Sequence, residues 1–136
     1  MITLSIPSSS DELDKVLEFV NLAQEIAKGS IKFWMELLDT VQKIFLNIVA
    51  YAYHNYDGIV KVSINYIEEQ HAIEVSFINE GIPYNPLVEV GLASDYRGEY
   101  RIEEGFDVSV LEKSTEKTSY IYLNKKNVTT IKKYLE

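Results

Sequence analysis

Two alternating runs set the strongest limit on what this chain can fold into. Val60, Val62, Ile64 and Tyr66 alternate with Lys61, Ser63 and Asn65, and Ile73, Val75 and Phe77 repeat the pattern after "EEQ". A period of two turns every second side chain to one face, so each run reads as a strand with one buried side. Two such runs separated by a few turn residues form an antiparallel hairpin.

The flanking segments extend this unit. Ile2, Leu4 and Ile6 alternate with Thr3 and Ser5, a leading strand closed by Pro7 and three serines. Ser9 and Glu12 have capping-box spacing, and Leu13, Val16, Leu17, Val20 and Ala23 follow at helical spacing, so a helix is predicted over 11–28. A second helix is predicted from about Ile31 to Tyr53, with Leu37, Leu38, Val41, Ile44, Phe45, Ile48, Val49 and Ala52 as its apolar stripe. After the hairpin comes an irregular stretch, 79–105, long enough to suggest function or mobility. Strands Phe106–Leu111 and Ser119–Leu123 are predicted next, joined through "STEK", and Asn127 is placed to cap a short final helix, "VTTIKKYL". The predicted fold is a single α+β domain over 1–136. It is a two-layer sandwich of a mostly antiparallel mixed sheet of about five strands, with two long helices on one face.

Bulk properties narrow the function classes. With 136 residues, 46% of them hydrophobic, the chain can bury one core. No window approaches the roughly eighteen apolar residues of a membrane span, and "MITLSIPSSSDELDK" does not read as a signal peptide. A cytoplasmic protein is expected. No cysteine is present, which excludes disulfide scaffolds and thiolate chemistry. A net charge of −8 argues against nucleic-acid binding, which needs clustered Lys and Arg. The basic pairs Lys125–Lys126 and Lys132–Lys133 are assigned to a solvated tail helix. His54 and His71 have no ligand-like spacing to one another and read as a helix-end and a hairpin residue, so no transition-metal site is expected. Phe33 and Trp34 open the second helix as core or dimer-interface anchors.

Two segments carry a resemblance. "FLNIVAYAY" at 45–53 and "FINEGIPYNPL" at 77–87, separated by the hairpin, are similar to the histidine-kinase-like ATPase superfamily, in particular its anti-sigma factor serine kinases. That family carries E-x-x-x-N and a "HAY" segment on the helix, then D-x-G-x-P-F-D-P after the hairpin. The resemblance covers residues 1–87; beyond them only strand order matches. It implies ATP and Mg²⁺ as cofactors, with Asn47 as the Mg²⁺ ligand and Asn79, Gly81 and Pro83 at the nucleotide base. It also implies a sigma factor or a phosphorylatable antagonist as partner, and a homodimer.

The same alignment of motifs marks departures. Lys43 stands where the family has its general base, and Asn79 where it has the adenine-reading Asp. Tyr84, Asn85 and Pro86 stand for Phe-Asp-Pro. Gly91, Gly98 and Gly105 lie among Glu89, Asp95, Glu99, Glu103 and Glu104, a poor phosphate cradle. Glu36 lies on the Asn47 flank but about 16 Å along the helix, too far to replace the base. The expectation is therefore a non-catalytic or weakly nucleotide-binding regulator that acts by protein–protein contact. The alternatives are an active serine/threonine kinase and an interaction domain unrelated to sigma control.

Overall fold

The computed structural model describes residues 1–53, 58–89, 107–113 and 116–135, with only the backbone described at 88, 89 and 107–113. Strand β1 (Ile2–Pro7) leads into helix α1 (Leu13–Asn21), bounded by 3-10 turns at Ser10–Glu12 and Leu22–Glu25. Helix α2 (Ile31–Asn47) ends in one π-helical turn, Ile48–Ala52. Strands β2 (Ile59–Ile67) and β3 (Ala72–Asn79) form the central hairpin, and α3 (Pro86–Glu89) follows the loop. Strands β4 (Asp107–Lys113), β5 (Glu116–Leu123) and β6 (Lys126–Tyr134) complete the chain.

The six strands make one sheet in the order β1-β2-β3-β6-β5-β4, with every neighbouring pair antiparallel. The two-layer α+β architecture is as predicted, but the mixed sheet of about five strands is corrected to a wholly antiparallel sheet of six. The difference is the last element. "VTTIKKYL" is a strand, not a capped helix: Thr129, Ile131, Lys133 and Leu135 are buried on one face, while Val128, Thr130, Lys132 and Tyr134 are half-buried on the other. Four of the residues Val128–Ile131 are β-branched and stiff at χ1, which favours the pleated surface. The basic pair is split by the same alternation, so Lys133 is buried rather than solvated.

Helix α2 starts at Ile31 as predicted, but the first helix is shorter than the predicted 11–28: α1 spans Leu13–Asn21 between two 3-10 turns, and Ser9 caps the first of those turns. The Ser9 hydroxyl accepts the Asp11 N–H at 3.2 Å, and the Ser30 hydroxyl accepts the Phe33 N–H at 3.0 Å. Each cap satisfies a backbone donor left over at a helix start. Leu37, Val41, Ile44, Phe45 and Ile48 then bury the α2 stripe over Val60, Val62, Ile64, Ile73, Val75 and Phe77 of the sheet. Phe33 and Trp34 belong to this core, with their rings edge-to-face at 5.1 Å, so the aromatic start of α2 is no exposed anchor. His71 is the turn residue before β3, at φ 52°, with its ring against Tyr66. No helix among the described residues is long and apolar enough to cross a membrane.

Candidate functional site

The segment "INEGIPYNP" leaves the end of β3 and folds against the end of α2. Its geometry follows from three side chains that capture backbone. The Asn79 carboxamide oxygen accepts the Gly81 N–H at 3.0 Å, closing an Asx turn. The Asn85 oxygen accepts the Leu87 N–H at 3.0 Å, and Pro86 follows as the first residue of α3, where its missing donor costs nothing. Asn127, opposite Asn79 in the β3–β6 register, ties the loop down.

Asn127 uses its full hydrogen-bonding capacity. Its amide donates to the Asn79 oxygen at 3.0 Å and to the Ile82 carbonyl at 2.8 Å. Its oxygen accepts the Tyr84 N–H at 2.9 Å and the Tyr120 hydroxyl. Two donors and two acceptors are all that a carboxamide offers. The side chain is fully buried, so leaving any of these partners unmade would carry the desolvation cost of that group.

The loop meets α2 at the π-helical turn. The Ala52 carbonyl accepts the Ile82 N–H at 3.0 Å, and a Cβ on Gly81 would lie 2.4 Å from that carbonyl oxygen. Only glycine permits this approach. The Tyr53 hydroxyl donates to the Ile59 carbonyl at 2.8 Å and accepts the Glu80 N–H at 2.9 Å. The Tyr51 ring meets that of Tyr84 at 5.5 Å, tilted by 41°, and joins the π-helical turn to the loop. A π-helical turn is uncommon.

The residues implicated by the resemblance fall as follows. Gly81 is buried against Ala52, and Pro83 is half-buried in the loop. Asn79 is 2% exposed, and the oxygen assigned to the base already has two internal donors. Asn47 is half-buried on α2, with no side-chain hydrogen bond to another described residue. Lys43 points along the helix to Asp39, at 3.0 Å, with both side chains more than half exposed. Glu36 pairs with Lys133 at 3.4 Å. The buried Asn85 amide and Thr129 hydroxyl have no hydrogen-bond partner among the described residues. His54, Gly91, Gly98, Gly105, Asp95, Glu99, Glu103, Glu104 and the side chain of Glu89 lie outside the described residues.

These groups do not fit Mg²⁺-ATP. One neutral oxygen on α2 is a meagre metal ligand beside a lysine, and the oxygen meant for adenine is spent within the fold. Among the described residues, no cluster of three or more His, Asp or Glu side chains is placed to hold a metal ion. No family model matches the chain, and no curated protein matches it.

Two residues of this site escaped the sequence reading. Asn127 caps no helix; it lies in a strand that follows a two-residue turn, Asn124–Lys125, with φ of 53° and 62°. Such a turn between two alternating runs signals a tight hairpin. Tyr53 ends the segment "FLNIVAYAY", but the partners of its hydroxyl, the Ile59 carbonyl and the Glu80 N–H, lie 6 and 27 residues further along the chain.

Proposed function

We propose that this chain is a non-catalytic regulatory protein of the anti-sigma type, cytoplasmic, built on a histidine-kinase-like ATPase fold and working through protein–protein contact. The observation that carries this reading is the internal commitment of Asn79. The loop keeps the Gly and Pro of the family's pattern with Asn79 in place of its Asp, yet the oxygen that would read adenine serves Gly81 and Asn127. Lys43 adds to it: the position of the general base holds a cation paired with Asp39. On this reading the partners are a sigma factor or its antagonist, and a second copy of the chain.

The test is phosphate transfer from labelled ATP to a candidate antagonist by the wild type, Lys43→Glu and Lys43→Glu/Asn79→Asp. No transfer is expected from any of them. A base contributes about 10²–10⁴-fold only to a nucleotide already held in line. Turnover by the wild type would establish an active kinase. Turnover by the single variant would make this a recently silenced one. Capture of a sigma factor supports the regulatory reading, and capture of only unrelated proteins would favour an interaction domain of another kind.

A further inference from the structure

We propose that the sheet face opposite the helices carries a docking site for an acidic segment of another protein. One aliphatic side chain of that segment fills a small hollow between Ile59 and Ile78, and carboxylates beside it meet Lys61 and Lys126. The proposal goes beyond the regulatory reading above and does not depend on it.

Among the described residues, the helices pack on one face of the sheet. Three rows of side chains cross the strands on the other. One row is hydroxyl: Thr3, Ser63, Ser76, Thr130 and Ser119 stand opposite one another in register. Thr3 bonds Ser63 and Ser76 bonds Thr130, each at 3.2 Å. A second row is charged, with Glu74, Lys132 and Lys117 in register. Both rows suit water. The third does not. Ile78, Val128 and Ile121 stand in register on β3, β6 and β5, and Ile59 and Leu123 extend the patch at 53% and 39% exposure. A sheet face turned to solvent is ordinarily polar. A contiguous apolar row on it marks an interaction surface.

At the β2 end of this row lies a hollow of about 90 Å³, lined by Ile59, Lys61, Ile78, Asn79, Glu80 and Lys126. Its aliphatic walls carry a charged rim. Lys61 is opposite Ile78 in the β2–β3 register, and Lys126 is opposite Leu123 in the β5–β6 register, so the two exposed lysines flank the apolar patch. Lys125, in the turn before β6, adds a third exposed cation. Glu80 is the carboxylate of the lining and can neutralise only one of the three. In a chain of net charge −8, this corner is locally cationic.

The hollow and its rim define the occupant. The walls accept one aliphatic side chain, and the lysines ask for carboxylates next to it. A duplex or an anionic membrane would extend past this corner and meet the negative charge of the whole chain. A short acidic segment meets only the local cations, because charges more than about 8–10 Å away are screened at physiological salt. From β2 to β5 the row spans three strand spacings, about 14 Å, which an extended segment of about five residues covers.

Fluorescence anisotropy tests this with a short labelled peptide of leucines set among glutamates; the same peptide with lysines for glutamates is the control. The full chain at low salt is expected to bind the glutamate peptide with a dissociation constant below about 1 mM, and the lysine peptide about tenfold more weakly or worse. Lys61→Glu/Lys126→Glu should weaken the glutamate peptide by about tenfold or more, and Ile59→Thr, which leaves the charges in place, by about fivefold. Both variants are expected to keep native circular dichroism. Amide shifts of the wild type on titration should centre on Ile59, Lys61, Ile78 and Lys126, a readout that needs no variant. The proposal is overturned if the wild type does not bind below about 1 mM, if the shifts centre elsewhere, or if a folded charge-reversed or Ile59→Thr variant binds as the wild type does.

Discussion

The helix-facing side of the sheet has two halves of opposite chemistry. Under β1, β2 and β3 it is almost wholly apolar: Ile6, Val60, Val62, Ile64, Ile73, Val75 and Phe77 are all buried. Under β5 and β6 it carries Glu116, Thr118, Tyr120, Asn127, Thr129 and Lys133, equally buried, around Ile131. The first half is held by area removed from water, which tolerates approximate shape. The second is held by specific partners. Asn127 closes one end of it over the loop, and Lys133 closes the other between Glu116, at 3.8 Å, and Glu36.

This difference predicts a graded response to substitution. The largest loss is expected from Asn127→Ala, which removes four hydrogen bonds, those to Asn79 and Tyr120 buried and those to Ile82 and Tyr84 part-buried. At about 1–3 kcal/mol for each group left unsatisfied, and with water relieving some, a loss of about 4 kcal/mol in urea unfolding is expected. A loss below about 1 kcal/mol would mean that the network is not closed.

Lys133→Met comes next. It strands Glu116, whose side chain is 10% exposed, and should cost about 3 kcal/mol. Replacing Glu116 by Leu as well should return most of that loss, since an apolar pair of similar volume needs no partner. Failure of the double variant to recover would show that the ion pair is more than a matched burial. In the apolar half, Ile73→Val removes one methylene from a fully buried side chain and should cost about 1 kcal/mol. If that substitution cost as much as Asn127→Ala, the contrast between the halves would collapse.

The contrast also explains what the sequence disclosed. Strands β1, β2 and β3 were legible because their buried positions are apolar and the period of two is plain. Strand β6 has the same period, but its buried face begins Asn127, Thr129, and includes Lys133, so the hydrophobic signal is missing. A capping Asn before "VTTIKKYL" then reads as a helix start. Only partners from other strands make those polar residues inward-facing, and partners are not visible in one segment. The loop was legible as a special structure but not in its purpose. Asn79, Gly81 and Asn85 satisfy two Asx turns and one close approach to Ala52, so these three positions have a structural explanation of their own. Whether it descends from a nucleotide pocket is a question of resemblance, and what it can still bind is a question of free donors and acceptors.

That question has a direct measurement: calorimetric titration of the wild-type chain with Mg²⁺-ATP. Two lost charge-assisted contacts, at about 1.5–3 kcal/mol each, weaken binding on the order of a hundredfold or more. With the Asn79 oxygen held by Gly81 and Asn127 and with Lys43 paired to Asp39, the account predicts no measurable heat of binding at micromolar nucleotide. A dissociation constant in the low micromolar range would contradict it, and would mean that the loop opens to release Asn79 for the base.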